Sequence, residues 1–130
     1  SQTGWFVIPG RLGDGREVDL AVAGGPLPSL DEALASPLSY ERPDFVPDRF
    51  RDVHWYAQYR IMRQHPDQDG HFLYYARYLC REWNRLHADT DSLRSFEILF
   101  FHRPVGAHLE RRPVTADYTR SVLWRHDCFR

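Results

Sequence analysis

Residues 70–87, GHFLYYARYLCREWNRLH, limit what this chain can fold into more than any other stretch. At about 3.6 residues per turn, Phe72, Tyr75, Ala76, Leu79, Trp83 and Leu86 fall on one side of a helix, and Tyr74, Arg77, Arg81 and Arg85 on the other. The apolar side is bulky. A buried aromatic side chain removes roughly 150 to 250 Å² from water, so a small domain can be organised on this one surface. In a chain of 130 residues with 42% hydrophobic content, one domain spanning residues 1–130 is expected, because two would each be short of apolar surface.

The elements around this helix read as strands. Residues 5–12 and 16–22 are β-rich runs about Gly13, Asp14 and Gly15, which predicts a hairpin. In the second run Val18, Leu20 and Val22 alternate with Glu17, Asp19 and Ala21, one set buried and the other wet. Pro9 cannot donate to a ladder, which places an edge or bulge near the end of the first run. Residues 95–102, SFEILFFH, put Phe96, Ile98 and Phe100 on one face and Glu97, Leu99 and Phe101 on the other, the pattern of a central strand covered on both sides. Residues 118–129 form a closing strand, with Val122, Trp124 and His126 on one face and Leu123 and Arg125 on the other.

Between hairpin and organising helix, residues 24–47 carry Pro26, Pro28, Pro37, Pro43 and Pro47 and read as a long surface connection holding one helical turn near Asp31–Ala35. Asp48 is placed to cap a helix over residues 49–64. That helix is apolar on two sides. Phe50, Val53, Ala57 and Ile61 form one face, and Trp55, Tyr59 and Met62 a second, which either lies inside the domain or docks on something outside this chain. The order β-β-α-α-β-β predicts an α+β domain: an antiparallel sheet of about four strands with two helices packed on it.

Composition narrows function mainly by exclusion. The formal charge is -1, which gives no overall attraction for nucleic acid, and the row Arg77, Arg81 and Arg85 beside Tyr74 and Tyr78 reads first as a polar interaction face with carboxylate partners such as Glu82. No stretch reaches the roughly 18 apolar residues of a membrane span. The seven histidines, His54, His65, His71, His87, His102, His108 and His126, show no zinc-motif spacing. The Asp67, Asp69, Gly70 pattern lacks an EF-hand's closing glutamate, since Tyr78 stands there.

Cys80 and Cys128 admit three uses. With His126 they form a weak metal trio; Cys80 with His126 or His102 as base would be the nucleophile of a small stand-alone enzyme or ligand-binding domain; or the two form a disulfide joining helix to sheet in an oxidising compartment. The last requires α-carbons roughly 4.4 to 6.8 Å apart.

Three blocks carry a resemblance: GWFVIPG at 4–10 leading to DGREVDL at 14–20, YLCREWN at 78–84, and WRHDC at 124–128. In this order they resemble the soluble C-terminal part of bacterial membrane proteins bearing the horizontally transferred transmembrane (HTTM) domain, relatives of vitamin K-dependent gamma-carboxylase. The connection over residues 23–47 is longer than that pattern. The resemblance implies that this chain is a fragment of a membrane-associated protein on the extracytoplasmic face, with no catalytic residue or cofactor of its own. A reduced quinone would serve the parent's membrane-embedded part. It further implies interaction with that membrane-embedded part, through Trp55, Tyr59 and Met62, or with a protein substrate.

Overall fold

The computed structural model describes residues 4–21, 29–35, 38–41, 71–102 and 118–130. They form an antiparallel sheet of five strands with two helices, the α+β architecture expected from the sequence. The strands are β1 (Trp5–Val7), β2 (Pro9–Leu12), β3 (Glu17–Asp19), β4 (Leu93–His102) and β5 (Thr119–Asp127); the helices are α1 (Leu30–Ala35) and α2 (His71–Leu86). The helix expected over residues 49–64 lies outside the described residues, as do Trp55, Tyr59 and Met62.

β4 is the axis. β5 runs along one side of it, and β1 and β2 together occupy the other, with β3 beyond β2. Val7 faces Leu99 and Gly10 faces Phe96, so the register carries straight across residues 8 and 9. β1 and β2 are therefore one strand with an interruption. Pro9 has no N–H to give, and the Ile8 N–H turns instead to the Asp19 carboxylate, Oδ1, at 3.1 Å. The same oxygen accepts from the Ala21 N–H at 3.0 Å. Asp19 is only 1% exposed, contrary to its expected place on a wet face. The alternation fails there because β3 ends at Asp19: Leu20 and Ala21 belong to a turn, and the carboxylate is drawn in to satisfy backbone donors that no ladder reaches. Val22, expected on the buried face, lies outside the described residues.

The two faces of β4 serve two cores. Phe96, Ile98 and Phe100 join Phe6, Ile8 and the buried side of α2, where Phe72, Tyr75, Ala76, Leu79 and Trp83 pack. Leu99 and Phe101 join Trp5 and Val7 on the opposite face. Trp5 stacks on Phe101 at 5.2 Å and meets Tyr118 edge-on at 4.7 Å, while Tyr40 lies 5.9 Å from Phe101. At about 1.5 to 3 kcal/mol for each large side chain fully buried, the main core supplies most of the driving force, and the smaller one seals the other face. Leu86, expected within the buried side of α2, is 65% exposed. It is the last residue of the helix, where the chain turns back towards the sheet.

β5 also departs from simple alternation. Ile98 faces Trp124 but Leu99 faces Val122, leaving Leu123 as an extra residue in a bulge. Leu123 and Trp124 consequently both pack on the main core, while Val122, expected to share a face with Trp124, lies exposed opposite Leu99.

The hairpin between β2 and β3 closes through Gly15, whose φ of 91° suits glycine, and docks on the 3-10 turn Asp89–Asp91. The Gly13 N–H donates to Ser92 O at 2.8 Å, and the Asp14 N–H to Thr90 O at 3.3 Å. Arg16 bridges the two loops, pairing with Asp14 at 2.7 Å and with Asp91. Hydrogen bonds from the Arg16 side chain, then from its backbone N–H, hold the Asp14 carboxyl below its ordinary value. α1, in the place expected of a helical turn, starts with a reciprocal cap: Ser29 Oγ accepts from the Glu32 N–H at 3.1 Å, and Glu32 Oε1 accepts from the Ser29 N–H at 3.2 Å.

Candidate functional site

Because α2 commits its bulky side to the sheet, the opposite side is turned outward with its arginines. Tyr74 is 67% exposed, and Arg77, Arg81 and Arg85 follow it along the helix in the open. Glu82 answers two of them, at 3.8 Å from Arg81 and 3.5 Å from Arg85, and the Arg81 guanidinium lies 5.8 Å from the Tyr78 ring centre. Surface pairs at such distances contribute little, about 0 to 1 kcal/mol, and leave the guanidiniums free to exchange partners. Among the described residues no carboxylate lies within ion-pair distance of Arg77.

This row borders a groove of about 400 Å³ between α2 and the end of β5. Cys80 and Cys128 line it and are joined in a disulfide, with α-carbons 5.4 Å apart. Mid-helix is thereby tied to the turn that follows the closing strand. A hydrogen bond from the Cys128 N–H to Arg94 O at 2.8 Å holds the same turn to β4. Beyond the bridge, Phe129 is 58% exposed with the Arg94 guanidinium 5.4 Å from its ring centre, and Arg130 lies 3.6 Å from Asp127. Asn84, one turn after Cys80, is committed to the fold: its Oδ1 accepts from the Leu93 N–H at 2.7 Å and its Nδ2 donates to Leu93 O at 3.1 Å. The amide thus acts as a strand partner for the first residue of β4.

His126 also lines the groove. The Trp124 indole N–H donates to His126 Nδ1 at 3.4 Å. Burial, then the nearby positive charge of Arg77, push the imidazole below its ordinary value. It is neutral at pH 7 and offers Nε2 as a hydrogen-bond group.

The structure brings Cys80, Cys128 and His126 together, but not as a nucleophile and base. Both sulfurs are used by the bridge, so the thiolate that the enzyme alternative needs at Cys80 is not present in the oxidised protein. His102 is remote from the groove. It stands six strand residues along β4 from Phe96, which faces His126, or about 20 Å at the usual rise, and its Nε2 lies 3.1 Å from Ser121 Oγ. Among the described residues no group of three His, Cys, Asp or Glu is placed to hold a metal ion.

A second hollow, of about 420 Å³, lies on the other face of the sheet beneath Tyr40. Four of its charges are matched in pairs, Arg11 with Glu17 at 3.5 Å and Arg125 with Glu97 at 2.7 Å, and Asp127 pairs with Arg130 outside it. The Tyr40 hydroxyl is pushed up by burial and then by Glu17, so it remains a donor. Sequence reasoning did not single out this hollow, although Arg11, Glu17, Glu97 and Arg125 are the polar positions of neighbouring strands. Comparison of the chain with protein-family models, with curated proteins and with solved structures returns no match.

Proposed function

We propose that this domain is a non-catalytic interaction module on the extracytoplasmic face of a membrane protein related to the HTTM and gamma-carboxylase proteins. Its role is to engage a protein substrate or the membrane-embedded part of the same protein. The observation that carries this reading is the arginine row of α2 set beside a closed Cys80–Cys128 bridge. Such a bridge persists in an oxidising compartment, and a surface held rigid by it loses little entropy when a partner docks. In the parent, quinone-dependent chemistry would belong to the membrane-embedded part, and no residue of this chain is assigned to it. Tyr74, Arg77, Arg81 and Arg85 form a polar interaction face, and Trp55, Tyr59 and Met62 the face that docks on protein.

The reading is tested in the intact gene product. Membrane-spanning segments encoded upstream, with a reporter fused after residue 130 active only outside the cytoplasm, are the expected result. A photo-crosslinking side chain at position 59, on the docking face, should then join the domain to its own membrane part or to a substrate protein. A parent without membrane spans, or a reporter active only in the cytoplasm, would refute it.

A further inference from the structure

The arginine face of α2 continues past the disulfide onto the last residues of the chain, and this continuity points to a more specific partner. Arg77, Arg81 and Arg85 on α2, with Arg130 across the groove and Arg94 in the adjoining hollow beside Asp89, form one positive field, against which stand Glu82, Asp89 and Asp127. The described residues hold nine arginines and eleven carboxylates, so away from this face their surface is acidic. A negatively charged plane would therefore attract this side and repel the remainder, turning the domain into one orientation.

Charge alone does not separate a lipid surface from an acidic protein. The rings do. Tyr74 and Phe129 are the first and third most exposed large hydrophobic side chains among the described residues, and both stand at the margin of the arginine field. Arg94 covers the ring of Phe129 and Arg81 that of Tyr78, so apolar faces and guanidiniums are interleaved. Tyrosine and other aromatic rings favour the headgroup layer of a bilayer, and the guanidinium fork matches two oxygens of a phosphodiester. From Tyr74 to Arg85 the row extends about 17 Å along the helix, enough to meet several headgroups at once.

We infer that this face, Tyr74, Arg77, Arg81, Arg85, Phe129 and Arg130, lies against an anionic phospholipid surface and sets the orientation of the domain on the bilayer. The inference rests on reading the same face as an interaction surface and names what it meets. It assigns the arginines to headgroup phosphates and the two rings to the boundary between headgroups and acyl chains.

Vesicle sedimentation of the 130-residue chain tests it, using phosphatidylcholine alone and phosphatidylcholine mixed with phosphatidylglycerol. Binding is expected on the mixed vesicles only, falling as salt is raised. An Arg77→Gln, Arg81→Gln pair should weaken it by about 25-fold, at about five-fold for each arginine removed near an anionic surface. An Arg11→Gln, Arg125→Gln pair, with the same change in charge on the opposite face of the sheet, should bind as the parent does. Tyr74→Ser with Phe129→Ser should weaken binding with no change in its salt dependence. Circular dichroism checks that each variant is folded. Absence of binding to the mixed vesicles, or equal losses from the two arginine pairs, would overturn the inference. Polyglutamate bound through Arg77 and Arg81 by a chain that ignores vesicles would also overturn it, while leaving the interaction reading intact. A chain that binds neither probe removes both for this face.

Discussion

Opening the Cys80–Cys128 bridge should cost this domain a large part of its stability. The two cysteines are 48 positions apart, and the chain-entropy relation for a loop of that size gives about 4 kcal/mol of stabilisation, chiefly by restricting the unfolded chain. Small domains have total stabilities of about 5 to 15 kcal/mol, so the bond decides whether the fold is robust or marginal. The perturbation is Cys80→Ala with Cys128→Ala, and the control is the parent protein held reduced, which keeps both sulfur atoms in place. In urea, with a slope of about 1.5 kcal/mol/M, the midpoint should fall by about 2 to 3 M for either form, and the slope should rise because the released chain expands. A reduced parent unfolding within about 0.5 M of the oxidised one would show that the bridge does not restrict the unfolded state as argued. A loss confined to the alanine variant would trace the effect to packing around Cys80 instead.

Three further outcomes follow from the geometry. Asn84→Ala should destabilise by about 2 to 3 kcal/mol in urea titration, since it strands the N–H and C=O of Leu93. Gly13→Ala places a methyl group 2.0 Å from Asp89 O and should cost about 1 to 3 kcal/mol by driving the hairpin off the 3-10 turn, read as a lower thermal midpoint. His126 has a folded-state value below its ordinary 6.5, so the unfolded chain takes up the proton first. Its contribution is therefore complete above pH 6.5 and lost as pH falls through the folded value, and a His126→Gln variant should lose less stability than the parent on acidification below 6.5.

Much of the architecture was legible because local pattern and tertiary packing agree. Most of the apolar side of α2 and the double-sided β4 follow from side-chain period, the hairpin follows from its glycines, and the bridge joins the two cysteines proposed for it. The departures arise where an element ends, bulges or must satisfy a backbone donor. Asp19 is buried because Ile8 and Ala21 need an acceptor, and Leu123 turns inward because a bulge advances β5 by one residue. Ser29 and Glu32 did hold a readable signal, the spacing of a capping box, that the sequence reading passed over. The candidate face was visible as an arginine row. Its continuation through Arg94, Phe129 and Arg130 was not, because residues on three separate elements meet there only after the sheet has formed and the bridge has closed.

β4 is a shared wall between two rooms. Its Ile98 side furnishes the larger and its Leu99 side the smaller, and each is sealed by different parts of the chain. Neither room can be emptied while the other stays furnished, so segments far apart along the polypeptide must come undone in one step.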